Sequence, residues 1–262
     1  MANIFEKISS LFGKVPVVET VALQRRDHAG LAVYAVGDVH GCATLYRRLE
    51  RKIIEDAKRL GLSPCIVLLG DVVDRGAESA DMVDHLLAPP PGGVERHCLR
   101  GNHEDMMLRF LDKPGGKSSW LDFGGYETLM SYGMRPPGDD GFNLPERQLR
   151  LMIETFIPLA HREFLTALPY GFVFGNFALV HAAIDPSAST EMQPKDVLLW
   201  GTPQDPQASG LTVVHGHTIV EKVEFTSGRI AVDTGAYVTG QLTSVRLLHD
   251  AAPEVIEVSD DE

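Results

Sequence analysis

Short apolar runs that end in glycine alternate with segments whose apolar residues recur every three or four positions. Leu31–Val36 (LAVYAV) is apolar throughout and stops at Gly37, the pattern of a buried strand. Leu45, Leu49, Ile53, Ala57 and Leu60 then keep a period near four, which predicts a helix closed by Gly61 as its C-terminal cap. Cys65–Leu69 reads as a second buried strand ending at Gly70. Helical spacing returns at Met82, Val83, Leu86 and Leu87, and the Pro-rich stretch 89–93 reads as a surface turn. His97–Leu99 gives a third short strand, followed by a helix around Met107, Phe110 and Leu111. Strand and helix in alternation predict parallel βαβ units, whose ligands bind beyond the carboxyl ends of the strands.

The stretch 113–169 is less regular and contains a loop from Pro136 to Pro145. Strand signals resume in Phe172–Val180, Leu211–Val214 and Arg229–Val232. Each apolar run is followed by polar groups: His181, then His215-Gly216-His217, then Asp233. No internal repeat or low-complexity linker interrupts the chain. In Met1–Lys14, Ile4, Phe5, Ile8, Leu11 and Phe12 are spaced as on an amphipathic helix, but Lys7 and Lys14 break any signal-peptide apolar region. The expected organisation is an N-terminal extension (1–28), a catalytic domain (29–250) and a solvated acidic tail (251–262).

Composition narrows the class. The 262 residues suit one large domain, and 44% hydrophobic with 23% charged residues is ordinary for a water-soluble fold. A net charge of −12 gives no attraction for nucleic acid, so none is expected as a partner. It leaves phosphate chemistry open, because bound divalent cations invert the local field. Cys42, Cys65 and Cys98 show no CxxC spacing and read as free thiols of a reducing compartment, hence a cytoplasmic location. No apolar run reaches the length of a membrane span, and a monomer is expected.

The strand ends collect Asp38, His40, Asp71, Asn102, His181 and His217. Carboxylates, imidazoles and an amide without a thiolate suit Mn, Fe, Zn or a related divalent ion. Asp38 and His40 are two apart, so an extended backbone puts them on one face. One such residue alone is ordinarily a turn or cap residue. His28, His85, His97, His161 and His249 lie outside these groups and read as surface or hydrogen-bonded core residues. His215 is open between packing and support of His217. Trp120 and Trp200 read as core, and Tyr237, in a glycine-flanked loop, is open between lining a pocket and not.

GDVHG (37–41), GDVVDRG (70–76) and GNHE (101–104), in that order, resemble the signature motifs of the phosphoprotein phosphatases. VHAAIDP (180–186) and VVHGHT (213–218) resemble their two later histidine motifs. GGYETLMSYG (124–133) and VDTGAYVTGQLTSVRL (232–247) resemble the bacterial serine/threonine branch of that family, within the calcineurin-like metallophosphoesterases. The resemblance implies a four-layer α/β/β/α sandwich with two central mixed β-sheets. It implies two divalent ions, Mn²⁺ first and Fe, Zn or Ni as alternatives. Asp38, His40 and Asp71 would hold the first ion; Asp71 would bridge to the second, completed by Asn102, His181 and His217. A hydroxide shared by the ions would attack phosphorus in line, His103 would protonate the leaving group, Asp74 would orient His103, and Arg75, with Asn102 and His103, would hold the phosphate. The implied substrate is a phosphorylated protein or a small phosphate ester.

Departures from the family pattern are His215, where arginine or an apolar residue is usual, and Leu198–Thr202 (LLWGT), which lacks the arginine that bacterial relatives carry after the tryptophan. Ile219 stands where the wider superfamily often has another metal histidine, which favours the phosphoprotein phosphatase pattern. GDVHGC and VHAAI fit a dinucleoside polyphosphate hydrolase equally, whereas Asp74 fits the protein phosphatase better. A silent binding module that keeps the fold is a third reading, against which the full ligand set and His103 argue.

Overall fold

Neighbouring residues of the first apolar run face opposite ways, and that alternation builds the protein outward in layers. The structure, a computed structural model, describes residues 18–27, 29–138, 141–202 and 210–261. In chain order the elements are β1 (Thr20–Val21), β2 (Gln24–Arg26), β3 (Leu31–Val36), α1 (Ala43–Leu60), β4 (Ser63–Leu68), α2 (Ser79–Leu87), β5 (Glu95–Cys98) and α3 (Asn102–Asp112). A turn kinked at Gly124 (Leu121–Gly125) leads into α4 (Tyr126–Ser131), α5 (Glu146–Phe156) and α6 (Leu159–Ala167). Then follow β6 (Gly171–Phe174), β7 (Phe177–Val180), β8 (Gln193–Pro194), α7 (Lys195–Trp200) and β9 (Thr212–His215). The chain ends with β10 (Glu224–Thr226), β11 (Arg229–Ala231), α8 (Ala236–Thr239), β12 (Gln241–Leu247) and β13 (Glu254–Ser259).

Two mixed sheets result. One has the order β13-β12-β3-β4-β5, with β3, β4 and β5 parallel. The other has the order β10-β11-β9-β7-β6-β2, with the parallel strands β11, β9 and β7 at its centre. Val33, Ala35, Cys65 and Val67 point inward and meet Phe172, Leu179, Val214 and Ile230 of the second sheet. Ala32, Tyr34, Ile66 and Leu68 point outward against Leu49 and Ile53 of α1, Met82 of α2 and Met107 of α3. Beyond the second sheet, Val173, Ala178 and Val213 pack on Ile184 and on Leu198 of α7. The layers are thus helix, sheet, sheet and a thin outer layer, in agreement with the expected sandwich.

Helix α1 ends as its sequence requires. Gly61 takes φ 69°, its N–H donates to Lys58 O at 3.1 Å and that of Leu62 to Ala57 O at 3.1 Å. This double cap satisfies the last carbonyls of the helix and needs a left-handed residue.

Three expectations are corrected. Residues 20–26, assigned to an extension, are strands: β1 pairs with β8 and β2 edges the second sheet beside β6. Residues 254–259 are no solvated tail. They form β13, in register with β12 from Gln241↔Ser259 to Arg246↔Glu254. The acidic residues masked a strand whose Ile256 and Val258 face the helical layer. Phe172–Val180 is a hairpin, because Gly175 turns at φ 57°. The proposed helix in Met1–Lys14, and His28, lie outside the described residues. Among those residues no helix is long and apolar enough to cross a membrane.

A buried polar network fastens α1 to the sheet edge. Glu50 accepts from His85 Nε2 at 2.7 Å and Arg96 Nη1 at 2.9 Å. Burial alone would raise the Glu50 pKa, but these hydrogen bonds outweigh it and hold the carboxyl below its ordinary value. A depressed carboxyl contributes stability above its unfolded pKa and loses it as pH falls through the folded one. Glu50→Gln should therefore cost about 2 kcal/mol at neutral pH. In urea titrations the gap to the wild type should close as pH drops below about 4.5. A gap that is constant with pH would show that the charge does not contribute.

Candidate metal centre

Every side chain singled out by the strand-end pattern leaves the carboxyl end of a strand. Asp38 and His40 follow β3, Asp71 and Asp74 follow β4, and Asn102 and His103 open α3 just after β5. His181 follows β7 and His217 follows β9 in the second sheet. The loops are laced together: His40 N–H donates to Asp71 O (2.8 Å), Gly41 N–H to Val72 O (3.0 Å) and Gly216 N–H to His181 O (2.9 Å). His40, Asp71, Asp74, Arg75 and His217 are the described non-glycine residues with positive φ, 44° to 73°. Each such conformation costs roughly 1–2 kcal/mol, so the strain is concentrated at this one place.

The donor atoms converge. His181 Nε2 lies 2.7 Å from Asn102 Oδ1 and 3.2 Å from His217 Nδ1, and those two are 3.0 Å apart. Asp71 Oδ2 sits between this group and His40, 3.5 Å from His181 Nε2 and 3.7 Å from His40 Nε2. Asp38 joins through Oδ2, which accepts from His217 N–H at 3.0 Å, while its buried Oδ1 has no hydrogen-bond partner. Glycines 101 and 216 permit this approach: a Cβ on either would collide with a carboxylate oxygen, of Asp71 and Asp38 respectively.

This donor set fits divalent cations. His181 Nδ1 faces Leu69 O at 3.0 Å and His40 Nδ1 faces Val73 O at 3.0 Å. Those carbonyls fix the tautomer, leaving lone pairs on both Nε2 atoms, aimed at other acceptors. Separations of roughly 3 Å are the edges of a coordination shell with bonds of about 2.0–2.2 Å. Burial lowers the three candidate imidazole ligands: His40 well below its ordinary value, His181 to about 3, His217 to about 4. Burial raises the carboxyls: Asp38 strongly, helped by Asp233 and Asp71, and Asp71 to about 6. Neutral imidazoles and carboxyls that are costly to ionise without a cation are the signature of a metal-binding pocket. Asp71, between the two groups, is placed to be shared.

Glu104 carries a structural role that the sequence pattern left unassigned. It is fully buried, and its carboxylate accepts backbone N–H groups of Asp71 (2.8 Å), Val72 (2.8 Å), Val73 (3.3 Å) and Gly101 (2.8 Å). Its position as third residue of a helix beginning after Gly101 was the available signal. Burial, then the Asp71 charge, pushes its pKa up to about 7. Glu104→Ala leaves these donors without an acceptor and should cost about 3 kcal/mol in denaturant titrations. A loss under about 0.5 kcal/mol, the range of ordinary surface substitutions, would contradict this role.

Asp74 is completely buried and meets His103 Nδ1 at 2.7 Å. It also accepts from Trp120 Nε1 (2.7 Å) and Thr128 Oγ1 (2.7 Å). Burial pushes Asp74 up to about 8 against these two hydrogen bonds, and burial lowers His103. Arg75 Nη2 lies 3.2 Å from His103 Nε2, and its guanidinium stacks 4.6 Å above the Tyr237 ring. Tyr237 packs edge-on against His40 at 5.2 Å and so lines the site.

Trp120 is core, as expected, but Trp200 is not. It is 47% exposed and stands 6.0 Å from the His217 ring. No arginine follows it; Gly201 instead lets the chain pass Val197 and Ala183. His215 is buried and hydrogen-bonds Gly216 O, outside the donor clusters. A groove of about 1010 Å³, lined by Phe110, Lys113, Lys117, Trp120, Phe123 and Trp200 among others, opens beside the site.

The profile of the calcineurin-like phosphoesterase family matches residues 31–231. A curated protein of Geobacillus thermodenitrificans, named bis(5'-nucleosyl)-tetraphosphatase (asymmetrical), is 27% identical over 254 residues, covering 86% of this chain and 91% of its own. Among solved structures, a putative diadenosine tetraphosphatase aligns with TM-score 0.63 and 19% identity, covering 91% of this chain and 98% of its own. A Saccharomyces cerevisiae protein serine/threonine phosphatase aligns with TM-score 0.55 and 16% identity, covering 92% and 84%. Both structures share the fold.

Proposed function

The chain belongs to the calcineurin-like phosphoesterases, and from that membership we propose that it hydrolyses phosphate monoesters, phosphoserine and phosphothreonine of proteins above all. The observation that carries this reading is the buried Asp74–His103 pair beside the donor cluster. An alkoxide is a poor leaving group, so a positioned proton donor is worth about 10²–10⁴ in rate. A nucleotide leaves as a weakly basic phosphate and needs no such donor.

Asp38, His40 and Asp71 would hold one divalent ion and Asp71, Asn102, His181 and His217 another; Mn²⁺ is the ion proposed. Bound there, the ions would supply Lewis-acid polarisation of the phosphoryl group and an acidified water. The remaining work falls to the chain. Arg75 presents a planar fork that grips two phosphate oxygens. With Nε2 protonated, His103 would deliver its proton to the leaving oxygen, and Asp74 would stabilise the imidazolium. Tyr237 restrains the Arg75 guanidinium and the His40 ring.

A second reading, hydrolysis of dinucleoside polyphosphates, is favoured by the name of the Geobacillus relative, which aligns over 86% of this chain. The test is phosphate release from a phosphoserine peptide against turnover of diadenosine tetraphosphate, with Mn²⁺ supplied. Preference for the peptide is expected. A higher kcat/KM for the tetraphosphate transfers the assignment to the second reading, and no turnover of either with Mn, Fe, Zn, Ni or Co removes both.

A further inference from the structure

Trp120, Gly124 and Thr128 recur every fourth residue through the kinked turn into α4, and all three meet the Asp74–Arg75 pair. Trp120 Nε1 donates to Asp74 Oδ2 at 2.7 Å. Thr128 Oγ1 donates to Asp74 Oδ1 at 2.7 Å and accepts the Asp74 N–H at 2.8 Å. Between them, Gly124 O accepts the Arg75 N–H at 3.3 Å, and a Cβ on Gly124 would overlap the Arg75 backbone. Gly124 adopts φ 108°, which only glycine takes at ease, where the helix kinks. A Cβ at Gly125 would strike the Trp120 indole, so the following glycine seats the ring.

Asp74 and Arg75 need such a hold. Both have positive φ, 73° and 67°, a conformation that costs a residue with a Cβ.

We propose that the segment 120–128 is a positioning bracket, with Trp120 and Thr128 fixing the Asp74 carboxylate against His103, and Gly124 fixing Arg75. None of these residues belongs to the groups of candidate metal donors. Trp120 and Thr128 occupy both oxygens of Asp74 with donors, so the carboxylate cannot rotate away from His103 Nδ1. The proposal rests on the reading of His103 as proton donor, and deepens it by assigning what keeps the donor aligned.

The test compares Trp120→Phe, Thr128→Val and Thr128→Ser with His103→Asn in the Mn²⁺-loaded enzyme, on a phosphoserine peptide and on p-nitrophenyl phosphate. The aryl ester's leaving group needs little protonation. Trp120→Phe and Thr128→Val should lower kcat on the peptide roughly 10- to 100-fold, within the range a misaligned proton donor forfeits. Turnover of the aryl ester should change less than about threefold, KM should be steady, and Thr128→Ser should restore the wild-type rate, because it keeps the hydroxyl. A merely structural role would depress both substrates together. Equal losses on the two esters, or none, overturn the bracket when His103→Asn is itself selective for the peptide. If His103→Asn is unselective, the proton-donor reading fails and the bracket falls with it.

Discussion

His103→Asn is expected to lower turnover of a phosphoserine peptide by about 10²- to 10⁴-fold while the metal content of the chain is unchanged. Asparagine keeps a polar group in the cavity but cannot deliver a proton. The backbone N–H of residue 103, which donates to Asp71 Oδ1 at 2.9 Å, is untouched, so the Asp71 carboxylate stays in place. His103 Nε2 lies 3.9 Å from Asp71 Oδ2, against 3.7 Å for His40 and 3.5 Å for His181, and Arg75 Nη2 lies 3.2 Å from that nitrogen. His103 also lies within reach of a cation held by His40 and Asp71, so the metal content distinguishes a proton donor from a ligand. Loss of metal together with rate would place His103 among the ligands and leave the leaving group without its donor.

The second large effect is expected at Asp71. Asp71→Asn should weaken divalent-ion binding by more than about 100-fold, since loss of even a residue that only supports a ligand costs 10- to 100-fold. Activity should fall with occupancy at any practical ion concentration. Stability of the metal-free chain should move the other way. Burial raises the Asp71 carboxyl to about 6. A carboxyl raised on folding destabilises the native state once pH climbs above its unfolded value of about 3.9. An uncharged amide removes that penalty and still accepts from His103 N–H. At pH 7 without metal, Asp71→Asn should therefore melt no lower than the wild type, an opposition between stability and function typical of active sites. A clear drop in melting temperature would show that Asp71 is a structural residue.

The line between what the sequence disclosed and what it withheld follows range of interaction. Apolar runs closed by glycine placed β3, β4 and β9, and each polar group after such a run lies where the strands end. Those patterns are local, and the ligand candidates Asp38, His40, Asp71, Asn102, His181 and His217 were legible from them. Residues that act across the fold were not. Glu104 binds a loop some thirty positions earlier, and Thr128 reaches back 54 residues to Asp74. Neither has a local signature beyond a helix N-terminus. Trp200 was read as core because tryptophan usually is; instead it ends a helix beside His217, half in solvent. The C-terminal strand was missed because its glutamates face water while Ile256 and Val258 face α1. Alternation was present there, but acidic charge dominated its appearance.

Everything about catalysis depends on the two groups of donors around Asp71 holding a pair of ions. Metal-free chain equilibrated with Mn²⁺ and counted by elemental analysis should bind two ions per chain. Affinity should rise as pH climbs through about 6, where Asp71 gives up its proton. His217→Ala should leave one ion bound, and Asp71→Asn fewer than two at the same free concentration. A stoichiometry of zero, or binding indifferent to both substitutions, would contradict the account.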